Sequence, residues 1–262
     1  MPTTQHRGAL WTLRVGLLLQ TIGIFGHALR RGTSINTTLF LNADLSESLS
    51  RAIDVTGGSL TLAAGVWFFA RPNKIAPIWI AAWTGLWALA HWIQGSAYFE
   101  WVGPPAWAIR VGAPLVALLF MSGMLGKAAS LARAAAALTF AAHGVEALQH
   151  HPKFIDLLIA AGHRFTGHYF SQSDATNILT AIGVIDLIAA AIILAPIKWR
   201  PLALWMAFWG AVTAASRVVE FGPLSAWDMT TLRAMHACLP LVLFFLWAPE
   251  ATTAAARSQE QP

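Results

Sequence analysis

The fold is decided by long apolar stretches, of which residues 75–97 are typical; they read IAPIWIAAWTGLWALAHWIQGSA. This stretch contains no Asp, Glu, Lys or Arg. A helix of about 20 apolar residues covers the roughly 30 Å hydrocarbon core of a bilayer. Seven further runs cover about 10–28, 51–70, 104–125, 130–149, 176–195, 201–221 and 230–248. The sequence therefore predicts an all-α integral membrane protein with eight transmembrane helices.

The composition supports this class. Apolar residues make up 56% of the chain and charged residues 11%, against roughly 25% charged residues in soluble domains. So few charges cannot build a water-exposed surface, which excludes a soluble enzyme. The single cysteine, Cys238, excludes intrachain disulfides and cysteine-held zinc or iron–sulfur sites. The net charge of +5 comes from scattered basic residues, so we expect the lipid bilayer and no nucleic acid as partner.

The ends of the predicted helices carry recognisable signals. The first run has the length of a signal peptide, but Arg14 and Gln20 interrupt it and basic residues follow it where small cleavage-site residues would be needed. We therefore expect a retained helix. Helix N-caps are predicted just before two other runs, at Ser46, Ser48, Ser171 and Ser173.

The two halves of the chain resemble each other. At an offset of 126 the matching pairs are Trp79 with Trp205, Trp83 with Trp209, Trp101 with Trp227, and Pro114 with Pro240. These matches predict two four-helix repeats, residues 1–126 and 127–249, followed by a disordered polar tail at 250–262. Because each repeat has an even number of helices, the repeats should be parallel, unlike the inverted repeats of many transporters.

The distribution of Lys and Arg predicts the orientation. With both termini inside, nine basic residues lie on the cytoplasmic side and five on the outer side of the plasma membrane. The longer polar loops, residues 29–50 and 150–175, would then lie outside.

Ionisable side chains inside spans are costly and therefore suggest function. Pairs spaced i, i+3 share a helix face; they are His27 with Arg30, His143 with Glu146, and Arg217 with Glu220, while His91 is followed by Gln94. Arg110 corresponds to His236 in the other repeat. Asp186 is the deepest charge, and we expect Asp186 and Glu146 to be the catalytic, proton-relaying groups. The alternative is that these residues pair with each other and only stabilise the bundle.

Tryptophans at i, i+4 and i+8 lead to His91, and they either pack helices or line a slot for a flat ligand. The predicted cofactor-binding residues are His27, Trp83, Trp87, His91, Arg110, His143, Arg217, Glu220 and His236. A quinone or a haem is the predicted cofactor, and haem would need two histidines on facing helices. A Cu, Zn or Fe site at His143, Glu146 and His150, spaced i, i+3 and i+7, is the alternative to solvated histidines.

A family resemblance is carried by Arg133-x9-His143-Gly144, followed by Glu146-Ala-Leu, an outer loop and three more helices. This pattern resembles the DoxX-like family of four-helix membrane proteins, present here as a fused duplicate. In the first repeat Arg14 precedes His27 by thirteen residues instead of ten, and Arg30 replaces the acid. The family is associated with membrane redox complexes, including small subunits of thiosulfate:quinone oxidoreductase, so the resemblance implies a redox-linked role.

Three functions remain open at this point. The first is a redox-linked membrane subunit that binds a quinone or haem in an outward-facing slot. It would work with a membrane or periplasmic redox partner. If it is an enzyme, it is a membrane oxidoreductase or a subunit of one. The second is a transporter of ions or small molecules. The third is an accessory protein whose outer loops hold a soluble partner, and any of the three could form oligomers.

Overall fold

The computed structural model describes residues 4–95 and 101–248, in which the regular structure is helical. In chain order the helices are α1 (Thr4–Arg30), α2 (Ser34–Leu41), α3 (Glu47–Ala70), α4 (Ile75–Gln94), α5 (Gly103–Ala106), α6 (Ala108–Met121), α7 (Leu125–Leu148), α8 (Pro152–Thr166), α9 (Gln172–Leu194), α10 (Arg200–Phe221), α11 (Pro223–Thr231) and α12 (Ala234–Leu246). The predicted all-α class is confirmed for these residues.

Four of the described helices are long and apolar enough to cross a membrane. They are α1 over His6–Arg30, α3, α9 and α10. A fifth span results if α11 and α12, which meet at an angle of 44°, are taken together. Of the other predicted spans, α6 has only 14 residues, and α4 and α7 are long enough but fall short in mean hydropathy. These properties indicate membrane association.

Two helix N-termini are capped as predicted. The hydroxyl of Ser46 accepts a hydrogen bond from the backbone N–H of Leu49 at 3.3 Å, at the start of α3. The hydroxyl of Ser171 accepts from the N–H of Asp174 at 3.1 Å, and the Asp174 carboxylate accepts in return, which completes a capping box on α9. Ser48 and Ser173 lie inside the first turns of these helices instead.

Arginines bind the C-terminal carbonyls of the same two helices. Arg14 donates to the carbonyl of Phe69 at the end of α3. Arg133 donates to the carbonyls of Ile193 at 2.9 Å and Leu194 at 2.6 Å, at the end of α9. A guanidinium at a helix C-terminus satisfies carbonyls that lack intrahelical partners and complements the negative end of the helix dipole. Arg14 and Arg133, the basic residues inside their apolar runs, are therefore structural.

Helices from the two halves of the chain pack against each other. Within the first half α1 packs on α3 and α4 on α6, and within the second half α7 packs on α9 and α10 on α12. Across the halves α1 packs on α11 and α12, while α5 and α6 pack on α7. Small residues allow close approach: a Cβ at Gly183 of α9 would lie 2.7 Å from the carbonyl oxygen of Gly144 on α7.

The two long polar segments are partly helical, which the sequence did not predict. Residues 29–50 contain α2, and residues 150–175 contain α8. The hydroxyl of Thr33 caps α2 by accepting from the N–H of Ile35. The predicted disordered tail, residues 250–262, lies outside the described residues.

Candidate functional site

Polar and aromatic side chains from both halves meet at one end of the bundle. They lie near the C-terminal ends of α1, α4, α7 and α10 and near the N-terminal ends of α6 and α12. We call this group the interhelical cluster; its members are His27, Trp87, His91, Trp107, Arg110, His143, Glu146, Arg217, Glu220, Asp228, Arg233 and His236. Eight of the nine predicted cofactor-binding residues and the predicted catalytic Glu146 belong to it.

Asp228 on α11 joins the cluster to α1. Its fully buried carboxylate accepts from Arg30 Nη1 at 2.9 Å, from His27 Nδ1 at 3.1 Å and from Arg31 Nε at 3.2 Å. The backbones are also close, because a Cβ at Gly23 would lie 2.8 Å from the carbonyl oxygen of Asp228. Asp228 therefore fixes α11 of the second half against α1 of the first.

Aromatic rings form a continuous wall from Asp228 to the centre of the cluster. The ring centre of His27 lies 5.3 Å from that of Trp87, and Trp87 lies 5.2 Å from Trp107 in an edge-to-face arrangement. His91 lies 5.6 Å from Trp107 on another side. Trp87 and Trp107 are almost fully buried, so these two indoles form the part of the wall that lies inside the bundle.

Arg110 lies against this wall and is buried. Its guanidinium carbon lies 4.3 Å from the ring centre of Trp107, a cation–π contact. Its Nε atom is buried without a hydrogen-bond acceptor among the described residues. A buried N–H without an acceptor costs about 1–3 kcal/mol, so the Arg110 Nε–H is a donor available to a ligand.

A proline explains how the backbone at Arg110 is satisfied. Pro114 has no N–H, so the carbonyl of Arg110, four residues earlier in α6, lacks its helical partner. The buried side chain of Gln20 on α1 donates to this carbonyl through Nε2 at 3.0 Å. Gln20, which interrupts the first apolar run, therefore serves the backbone of another helix.

His236 occupies the position in α12 that corresponds to Arg110 in α6. Its Nδ1 lies 3.1 Å from the carbonyl oxygen of Arg233. A carbonyl only accepts, so Nδ1 carries the proton and, in the neutral ring, Nε2 is an acceptor. This Nε2 is buried and has no partner in the described part of the chain. The ring centre of His143, whose Nδ1 binds Glu146 Oε2 at 2.8 Å, lies 6.0 Å away.

Two of the three arginines in the cluster form no ion pair with a described residue, although its three acids, Glu146, Glu220 and Asp228, equal them in number. Arg110, Arg217 and Arg233 repel one another, and Glu146 attracts Arg110 and Arg233. Arg217 pairs with Glu220 at 3.2 Å, whereas no ion pair within residues 4–95 and 101–248 includes Arg110 or Arg233. Buried charges are stable when they are paired or hydrogen-bonded, so the Arg110 side chain favours a ligand with oxygen acceptors.

Two predicted site residues lie outside the cluster. The indole of Trp83 packs over Gly57 of α3, where it takes part in helix packing. Asp186 is buried beside Gly144 and near the Trp209 side chain, and its Oδ1 has no hydrogen-bond partner among the described residues. It forms none of the ion pairs found in the described ranges. The structure thus places Asp186 beside the cluster, facing Trp209 instead of the arginines.

The three predicted metal ligands are not brought together. His143 and Glu146 pair, but His150 Nε2 lies 3.0 Å from the hydroxyl of Thr180 on α9. The prediction assumed a helix that continues through His150, whereas α7 ends at Leu148 and His150 has a positive φ of 54°. Among the described residues no group of three or more His, Cys, Asp or Glu side chains is arranged to hold a metal ion. The arrangement therefore gives no support to the metal prediction at these three residues.

Sequence reasoning missed Asp228, Trp107 and Arg233 as members of the site. The repeat offers a signal for the first, because Asp228 replaces Val102 at the offset of 126. The same offset places Arg233 on Trp107. At both positions one half has a charged residue and the other half an apolar or aromatic one, so the charged side chain of the cluster comes from one half only.

No family model matches the chain, and no curated protein or solved structure matches it. A function must therefore be argued from the geometry of the cluster.

Proposed function

We propose that the protein is an eight-span membrane protein, built from two parallel four-helix repeats, that binds the head group of a lipid-soluble quinone in the interhelical cluster. On this proposal it is a redox-linked subunit in the plasma membrane with the cluster in the outer leaflet, as the resemblance to the DoxX-like family implies. Four helices in the described part of the chain are long and apolar enough to span a membrane. The other four spans and the parallel arrangement of the repeats are part of the proposal.

Corresponding contacts in the two halves support the repeats. Trp79 stacks on Trp83 with ring centres 6.3 Å apart at 10°, and Trp205 stacks on Trp209 at 6.3 Å and 12°. An arginine from the first long helix of each half binds the end of the next long helix. Both halves also follow the order long helix, short helix, two long helices, short helix and a proline-containing helix.

The quinone proposal rests on a hydrogen-bond donor and a hydrogen-bond acceptor in the cluster that both lack partners in the described part of the chain. Arg110 Nε–H and His236 Nε2 are both buried, lie in the same cluster and lack partners among the described residues. A quinone oxygen accepts from the Arg110 N–H, and the hydroxyl of the reduced form also donates to His236 Nε2. A ring bound to Arg110 would lie beside the Trp107 indole, which the Arg110 guanidinium contacts at 4.3 Å.

The test is the quinone content of purified protein. Wild-type protein extracted from membranes in mild detergent should carry quinone, and Arg110→Met and His236→Leu should each lower the quinone-to-protein ratio about tenfold, the effect of losing a single hydrogen bond of about 1.4 kcal/mol. Arg200→Met is the matched control, because Arg200 binds the Phe244 carbonyl at 3.1 Å at the opposite end of the bundle. Equal ratios in all four proteins would contradict the proposal.

An absorbance spectrum separates quinone from haem. Ligation of a haem by two histidines needs a facing pair, and the described residues bring one such pair into ring contact, His143 and His236. A Soret band in wild-type protein that disappears in His236→Leu would show that the cluster binds haem and not a quinone. We expect a preparation without this band.

A further inference from the structure

An apolar groove runs along the outside of the bundle beside the cluster. It has a volume of about 590 Å³ and lies over α6, between α4 and α7. The residues that line it are Ala88, Leu89, Trp92, Pro104, Trp107, Ala108, Val111, Gly112, Leu115, Leu131, Ala134, Ala135 and Leu138. From Ala108 to Leu115 the α6 floor extends about 10 Å along the helix axis. Because the lining is apolar, the groove accepts only an apolar chain.

Trp107 connects the groove to the cluster. Its indole lines the groove and also contacts Trp87 and Arg110, the latter at 4.3 Å. A molecule whose ring lies beside Arg110 therefore has this groove directly adjacent to it. Small residues, among them Ala108, Gly112 and Ala134, leave the space that forms the groove. At Gly112 a Cβ would lie 2.9 Å from the Cβ of Ala135, so α6 and α7 meet closely beneath the groove.

We infer that this groove holds the polyisoprenoid tail of the ligand whose head group binds in the interhelical cluster. This inference rests on the proposed function and specifies its ligand as a tailed quinone. The ligand then enters sideways from the lipid between α4 and α7, and the tail contributes part of the binding free energy by burial of its methylene groups.

The experiment compares two quinones of the same ring structure, one without a tail and one with a short polyisoprenoid tail. Binding to detergent-purified protein is measured by quenching of tryptophan fluorescence. Ala134→Phe fills the groove from its α7 wall, where Ala134 is half-buried. We expect it to weaken binding of the tailed quinone about tenfold, as expected when about two methylene groups are no longer buried. Its effect on the tailless quinone should be less than twofold.

Ala82→Phe is the matched control, since Ala82 is exposed on α4 and does not line the groove. It should change neither affinity. Equal affinity of Ala134→Phe and wild type for the tailed quinone would overturn the groove inference while leaving the head-group site intact. A change of oligomeric state in Ala134→Phe, with unchanged affinity, would identify the groove as a protein interface and would also overturn it. Failure of wild-type protein to bind either quinone would instead reject the proposed function.

Discussion

Asp228 is the residue on which the assembly of the cluster depends. Its carboxylate is fully buried and faces two guanidinium groups and an imidazole from the end of α1. Both arginines are about one-third exposed, so each pairs with Asp228 while keeping contact with water. The arrangement places the anion inside and its cations at the rim, which is the order that keeps the desolvation cost low.

Asp228→Ala should lower the free energy of unfolding by about 3 kcal/mol, because the three hydrogen bonds that its carboxylate accepts, each worth about 1 kcal/mol, are lost. Thermal unfolding in detergent measures the effect. Asp174→Ala is the comparison: Asp174 is exposed and caps α9, so its loss should cost about 1 kcal/mol. Equal losses in the two variants would show that Asp228 does not fix α11 to α1.

The sequence predicted the local pairs of the cluster and missed its distant partners. His143 with Glu146 and Arg217 with Glu220 could be predicted because residues three apart on one helix share a face. Asp228 and His27 are 201 residues apart, and no periodic pattern links α11 to α1. Helix packing alone brings them together, so the pair follows only from the tertiary structure.

At the scale of the helix, prolines in α6 and α12 affect the site residues four positions earlier. Pro114 frees the carbonyl of Arg110, and Pro240 frees that of His236. The first carbonyl accepts from Gln20, and the second lies against Gly210 of α10. The backbone at Arg110 is thus held by a hydrogen bond from α1, and the backbone at His236 packs closely against α10.

Gln20→Leu should cost about 1–3 kcal/mol of unfolding free energy, because the Arg110 carbonyl loses its donor while remaining buried. Pro114→Ala supplies an N–H in α6 for the same carbonyl. In the double variant the cost of Gln20→Leu should therefore fall by at least about 0.5 kcal/mol, measured as a double-mutant cycle by thermal unfolding. Additive effects would mean that Gln20 stabilises the protein through contacts other than this hydrogen bond.

For the whole molecule the proposed topology places the cluster and α8 on the outer side. In a Cys238→Ala background, Lys153→Cys should react with a membrane-impermeant maleimide in intact cells. Lys198→Cys should react only after the membrane is opened. Both lysines are exposed and α9 lies between them. The reverse pattern would invert the orientation, and reaction of both in intact cells would show that α9 does not cross the membrane.

The packing across the halves has a consequence for how the chain must be built. Each half presents its first helix to the other half's last two, so Arg110 and His236 are brought together only when both halves are present. On the proposed repeat, a single-copy forerunner would have formed this cluster only as a pair of identical subunits. Gene fusion would then have allowed the two copies to differ, with Asp228 in one and Val102 in the other.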